Sequence, residues 1–209
     1  MRGYLKFFVF PFLVIFSIGV GAVAMSPHGF FVLFLNRYHT QALDFFFRYW
    51  TYLGDGMAVV TIFIVLLFLK RRHAYVMGIL GITLLLVSYF LKRVVFGKVP
   101  RPAKYFENDE ILNFVEGVKT HDWYSFPSGH TMTAFVLAGF LALTIQKNYW
   151  SLTLFFMACL VGISRVYLVQ HFLVDTLVGA ATGLVLASLF HILFRNYFGN
   201  DFSATVQKN

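Results

Sequence analysis

The sequence predicts an all-α fold: a polytopic membrane bundle of six transmembrane helices, both termini cytoplasmic, with one further amphipathic helix at the interface. Three observations predict it. Hydrophobic residues make up 59% of the 209 positions and charged residues 12%, against ~45–50% and ~25% in soluble domains. Apolar runs alternate with short charged breaks along the chain. Only one cysteine is present, Cys159, which excludes a disulfide-built domain. So few charges could not cover this much apolar surface in water, and the same composition excludes disordered and collagen-like chains.

The first apolar run, residues 7–25, carries no charge. It reads as a retained helix, since no small-x-small cleavage site leading into a soluble domain follows it. Residues 36–56 read as the amphipathic, interface-lying helix, because Tyr38, Phe45, Phe46, Phe47, Tyr49, Trp50 and Tyr52 suit the headgroup zone. Runs 57–69, 74–91, 131–145, 149–163 and 172–194 complete the set. Spanning ~30 Å of hydrocarbon takes ~20 helical residues, so runs 57–69, 131–145 and 149–163 are short by themselves. Each becomes long enough if polar residues at one end extend its helix into a protein-lined cavity. Residues 1–198 are expected to form one domain and 199–209 a polar tail.

The formal net charge of +8 first suggests nucleic acid or acidic lipid as a partner. Its distribution gives another answer. With six spans, Arg2, Lys6, Lys70, Arg71, Arg72, Lys147, Arg195 and Lys208 fall on one side, accompanied by the single acid Asp201. The other side holds nine basic residues and eight acids. The dense Lys70-Arg71-Arg72 link favours the cytoplasm for the first side. The charge is therefore a topology signal and no nucleic-acid partner is expected.

Three polar clusters interrupt the apolar pattern, all on the opposite side. The first runs from Lys92 and Arg93 to Pro100-Arg101-Pro102. The two prolines stiffen the backbone around Arg101 and reduce the entropy lost on fixing its guanidinium. The second is Ser125-Phe126-Pro127-Ser128-Gly129-His130-Thr131. Pro127 fits a helix start and Ser125 or Ser128 could cap it. A helix N-terminus binds phosphate readily, and Gly129 would let an anion approach the backbone. Capping does not explain His130. The third cluster runs from Ser164-Arg165 to His171 and Asp175. His171 and Asp175 are four apart at the start of a helix and share one face. A carboxylate there fixes the imidazole tautomer and frees the other ring nitrogen. Cations and N–H donors suit a phosphate, while two histidines with a carboxylate suit attack by one ring and proton donation by the other. The residues argue for phosphate-ester cleavage through a phosphohistidine, without a cofactor or metal.

At these clusters the chain resembles the type 2 phosphatidic acid phosphatase superfamily, which also includes the vanadium haloperoxidases. The family pattern is Lys-x6-Arg-Pro, then Pro-Ser-Gly-His, then Ser-Arg-x5-His-x3-Asp. The second and third motifs match at Pro127–His130 and Ser164–Asp175. The first departs: Val94 stands seven before Arg101, with Arg93 eight and Lys92 nine before it, so either base can take the family lysine's place. The resemblance implies His171 as nucleophile, Asp175 orienting it and His130 as general acid. It implies that Lys92 or Arg93, Arg101, Ser128, the Gly129 N–H and Arg165 hold the phosphate oxygens, with no metal. His28, His39, His73, His121 and His191 match no motif and read as interfacial or packing residues.

The resemblance to bacterial membrane members implies an inner-membrane lipid phosphatase with the bilayer and a lipid phosphate as its partners. Under the favoured topology the site faces the periplasm. Undecaprenyl diphosphate, phosphatidylglycerol phosphate, phosphatidic acid and lipid A phosphates all qualify. The loop 98–126 has the length of a lid, and its segment 111–115 is expected to dip an apolar face into lipid. Three rivals remain at this level: a haem-binding electron carrier with His130 and His171 as axial ligands, a non-catalytic phospholipid-binding or transport relative, and a haloperoxidase.

Overall fold

The structure, a computed structural model, describes residues 2–107 and 112–197. The expected tail, 199–209, lies outside the described residues. Nine helices follow in order among those described: α1 (Arg2–Met25), α2 (Phe30–Arg37), α3 (Gln41–Gly54), α4 (Gly56–Leu69), α5 (Arg71–Val95), α6 (Pro102–Tyr105), α7 (Gly129–Ile145), α8 (Asn148–Tyr167) and α9 (Leu173–Leu193). The final turn of α3 is 3₁₀-helical and that of α5 is π-helical.

Each of the six apolar runs forms a helix, and the polar ends behave as their composition requires. Helix α8 continues past its apolar run through buried Ser164 and Arg165, and α5 continues through Lys92. Four helices, α1, α5, α8 and α9, are long and apolar enough to cross a membrane alone. Helices α3 and α4 qualify only as a pair, bent by 57° at Asp55. Helix α7 has 17 residues and is the most enclosed. Its short length is tolerable because its N-terminus ends inside protein, where backbone polar groups find partners.

Helix α7 is the axis of the bundle. Tyr4, Phe8 and Phe12 of α1 pack with Phe135 of α7 and Phe155 of α8, while Met77, Leu80 and Leu84 of α5 pack with Met132, Val136 and Phe190. Against α9 the backbones come closer still. A Cβ at Gly179 would sit 2.5 Å from the Ser128 carbonyl oxygen, and one at Gly183 would sit 2.4 Å from that of Met132. Small residues at such crossings let helices associate by close backbone packing where hydrophobic driving force is lacking. The outward faces carry exposed large apolar side chains, such as Ile18, Phe68, Ile82, Leu86 and Ile192, which suit contact with lipid.

Two expectations require correction. Residues 36–56 are not one helix: the chain leaves α2 at Tyr38, and Thr40 caps α3 by accepting from the Leu43 N–H at 3.3 Å. Helix α2 is an additional element that begins before this stretch. Segment 111–115 does not dip into lipid as a unit either. Ile111 lies outside the described residues; Leu112 packs against Val32, Phe106, Val166 and Phe172, and Val115 against Phe47, Tyr167 and Leu168. Buried Asn36 of α2 holds the segment through two bonds with the Asn113 backbone, at 2.7 and 2.8 Å. Phe114, between them, is exposed.

The α7–α9 crossing gives a direct test. Gly183→Ala is expected to destabilise the bundle by about 1–3 kcal/mol, the usual cost of overpacking, and to lower the thermal unfolding midpoint in detergent. Gly21→Ala on α1, where a Cβ meets nothing within 4 Å, is expected to leave the midpoint unchanged or raised.

Candidate active site

One carboxylate oxygen organises the third cluster. Asp175 occupies the first turn of α9, where its Oδ2 accepts the Phe172 backbone N–H at 3.0 Å, a helix-start interaction favoured by the exposed N–H groups there. The same Oδ2 accepts the Ser125 hydroxyl at 2.5 Å and faces His171 Nδ1 at 3.3 Å. His171 and Asp175 are 1% and 2% exposed and Ser125 is fully buried. The Asp175 carbonyl also accepts the Ser128 N–H at 2.9 Å, tying the second cluster to the third. With the ring hydrogen on Nδ1, facing Asp175, the lone pair is on Nε2.

The turn carrying His171 is set by the chain before it. Gln170 and His171 both donate their N–H to the Arg165 carbonyl, at 2.9 and 3.1 Å. Val169 takes φ +59° to make this possible, an unfavourable conformation for a β-branched residue. Burial, and after it the charges of Arg101, Lys92 and Arg165, holds the His171 imidazole well below the usual histidine range. A neutral imidazole is the nucleophilic form.

The cations converge on this pair from three directions. Arg101 is held between its prolines by main-chain pairing with Asp122 at 2.8 Å, and its Nε donates to the Trp123 carbonyl at 3.0 Å. Its Nη1 reaches both Gln170 oxygens, main-chain and side-chain, at 3.3 Å each. Burial pushes the Arg101 guanidinium down from its ordinary value, and the Asp175 carboxylate pulls it back. Arg165, 6% exposed, donates to Thr51 Oγ1 at 2.9 Å and to Gln170 Oε1 at 3.4 Å. Its Nε has no hydrogen-bond partner among the described residues. Lys92 donates to the Tyr124 carbonyl at 3.1 Å, and its Cε lies 3.8 Å from the position a Gly129 Cβ would take. Arg93 instead stacks over the Tyr124 ring, 3.6 Å from its centroid. Of the two bases left open by the sequence, Lys92 is the one beside the α7 N-terminus.

At that N-terminus Ser128 is the cap. Its Oγ accepts from the Thr131 N–H at 3.4 Å and hydroxyl at 3.0 Å, so the side chain serves the helix start as well as bordering the site. Next to it, Gly129 adds no side chain to the first turn, and a Cβ there would lie 3.4 Å from Ser88 Oγ. His130 is partly exposed, and its Nε2 lies 3.7 Å from Asp55 Oδ2.

The structure thus gathers Lys92, Arg101, Ser128, Gly129, His130, Arg165, His171 and Asp175 at one end of the bundle. It adds four residues that the motifs do not name. Ser125, read only as a possible cap, bonds to Asp175. Gln170, inside the third cluster, bridges both arginines. Thr51 and Asp55 come from the α3–α4 bend and meet Arg165 and His130. Of the other histidines, His28 packs edge-on against Tyr105 and at a tilt against Phe172, and His39 pairs with Asp44. Among the described residues, no group of three or more His, Cys, Asp or Glu side chains is arranged to hold a metal ion.

Comparison with known proteins gives the family. A family model for the PAP2 superfamily matches residues 72–198. The lipid A 4'-phosphatase of Porphyromonas gingivalis is 29% identical over 79% of this chain and 70% of its own. The undecaprenyl-diphosphatase BcrC of Bacillus subtilis is 30% identical over 58% of each. The crystal structure of a transmembrane PAP2 type phosphatidylglycerolphosphate phosphatase from Bacillus subtilis superposes with a TM-score of 0.66 at 26% identity, covering 93% of this chain and 97% of that one.

The state of His171 is measurable independently of any activity. In a histidine ¹⁵N titration in detergent, its ring is expected to remain neutral with Nδ1 protonated at pH 6.5, where an unperturbed histidine is about half charged. A half-charged His171 at that pH would contradict the site described here.

Proposed function

The chain belongs to the PAP2 superfamily, and from that premise we propose that it is a membrane phosphatase hydrolysing a phosphate monoester or diphosphate on a lipid headgroup. The observation that carries the reading is the buried His171 ring set 3.3 Å from Asp175 Oδ2 beside Lys92, Arg101 and Arg165, with the buried Arg165 Nε lacking a hydrogen-bond partner among the described residues. Such a site is built for a group with several anionic oxygens.

The chemistry follows from the residues. His171 Nε2 attacks phosphorus while the bond to the lipid oxygen breaks and its electron pair stays on that oxygen. His130 gives its proton to the departing oxygen. Water then attacks the phosphohistidine, the phosphorus–nitrogen pair returns to His171, and the neutral His130 ring takes the water's proton. Lys92, Arg101, Arg165, the Gly129 N–H and the Ser128 hydroxyl hold the equatorial oxygens. Arg93 supports this group through Tyr124. Phosphoryl transfer depends mostly on positioning and charge neutralisation, and three fixed side-chain cations supply here what divalent metals supply elsewhere.

A lipid substrate is supported by the surroundings of the site. An apolar cleft of about 470 Å³ is lined by Tyr52, Leu53, Ala134, Leu137, Ala138 and Leu141, beginning one turn beyond His130 along α7. The names of the relatives span lipid A, undecaprenyl diphosphate and phosphatidylglycerolphosphate, so a lipid phosphate is the substrate class they support. The Lys70-Arg71-Arg72 link lies at the opposite end of α5 from Lys92. By the positive-inside rule this favours the cytoplasmic side of a bacterial inner membrane for that link and the periplasmic side for the site.

Phosphate release from detergent-dispersed lipid A, undecaprenyl diphosphate, phosphatidylglycerol phosphate and phosphatidic acid tests the reading. Turnover of at least one of them is expected to persist in EDTA and to fall to background in His171→Ala. Arg101→Ala is expected to lower kcat/KM about 10²–10³-fold, the cost of losing one transition-state donor. Full activity in His171→Ala would overturn the mechanism.

A further inference from the structure

The bend between α3 and α4 is built against the acid side of the site. Gly54 packs so closely on His130 that a Cβ there would lie 2.5 Å from the His130 carbonyl oxygen. Thr51, one turn earlier, accepts from buried Arg165. Asp55 then leaves the helix with extended backbone. Its Oδ1 caps α4 by accepting the Met57 N–H at 2.9 Å, and its Oδ2 lies 3.7 Å from His130 Nε2. Each histidine therefore has its own carboxylate: Asp175 from α9 for His171, and Asp55 from the bend for His130.

Charge explains why the second pair matters. The groups facing His130 are Arg165 from α8, Lys92 from α5, Arg101 from the segment before α6, the His171 ring from the turn before α9, and Asp55 from the bend. A general acid must carry its proton into the transition state, and an imidazolium among three cations is opposed by Coulomb repulsion. A carboxylate 3.7 Å from Nε2 is placed where it can offset that repulsion. At 3.7 Å it is beyond hydrogen-bond reach, so it acts through charge and leaves the Nε2 proton available to another acceptor.

We propose that Asp55 is the positioning residue of the acid step, its carboxylate holding the His130 imidazolium with the Nε2 proton directed to the departing lipid oxygen. This rests on the assignment of His130 as general acid. As the bond from phosphorus to the lipid oxygen breaks, that oxygen keeps the electron pair and receives the Nε2 proton. His130 becomes neutral, and Asp55 remains a carboxylate throughout.

Asp55→Asn separates this role from a structural one, because asparagine caps a helix as well as aspartate does while lacking the charge; Asp55→Ser is a second cap-competent variant. The readout is kcat on an alkyl lipid phosphate, whose leaving alkoxide needs the proton, against p-nitrophenyl phosphate, whose leaving phenolate does not. Both variants are expected to lose roughly tenfold or more on the alkyl substrate, part of the 10²–10⁴ that acid catalysis contributes. The loss on p-nitrophenyl phosphate is expected to be several times smaller, and the basic limb of the alkyl pH profile is expected to move to lower pH. Equal losses on both substrates, or no loss on the alkyl substrate, would overturn the role of Asp55. His130→Ala distinguishes the two levels. If it retains alkyl turnover, the acid assignment itself fails; if it is inactive while Asp55→Asn matches wild type, only the inference about Asp55 fails.

Discussion

The site depends on one buried oxygen, Asp175 Oδ2. A carboxylate within a membrane bundle is expensive unless its charge is matched, and here a serine hydroxyl, a backbone N–H and an imidazole converge on the same atom. Each donor comes from a different structural feature. Phe172 N–H marks the start of α9, Ser125 belongs to the strap leading into α7, and His171 ends the turn from α8. Satisfying the carboxylate therefore joins three segments, and the Ser128–Asp175 backbone bond fixes the α7 N-terminus against them. What would otherwise be a destabilising charge becomes the fixed point for the His171 ring.

The cations are arranged around that point by a second economy of partners. Arg101 and Arg165 share Gln170 as acceptor and otherwise lean on a backbone carbonyl and a hydroxyl. None of these neutral partners cancels a guanidinium's charge, so both arginines are held in place while their charge is left for an anion. On the proposed function, pairing them with carboxylates would have stabilised the empty site at the expense of phosphate binding. The bent α3–α4 pair fits the same logic. Irregular backbone at membrane depth is tolerable where it lines a protein cavity, and this bend brings Thr51 and Asp55 to the site.

Much of this was legible in the sequence because charged residues are conspicuous in an apolar chain. Arg101 between prolines, His130 at a helix start and the four-residue spacing of His171 and Asp175 each carry local meaning that spacing alone reveals. The rest depends on contacts across the bundle. Asp55 lies 75 positions before His130, within an aromatic stretch that reads as an interfacial anchor, and no periodicity relates the two. Gln170 was visible within its cluster, yet its bridge between two arginines needs the Val169 turn. The choice between Lys92 and Arg93 was open for a related reason: the last turn of α5 is π-helical, so counting residues from Arg101 does not give the direction of either side chain. Helix α2 escaped notice because its apolar residues are followed by polar Asn36 and Arg37, and the burial of Asn36 follows only from its clamp on Asn113.

The central claim is that phosphate passes through a covalent bond to His171. Rapid mixing of the protein with a ³²P-labelled lipid phosphate, quenched in alkali where phosphohistidine survives, tests it most directly. The account predicts a transient, acid-labile label on the peptide containing residue 171, formed before phosphate release and absent in His171→Ala. Substrate turnover without that label, or a label that persists in His171→Ala, would contradict it.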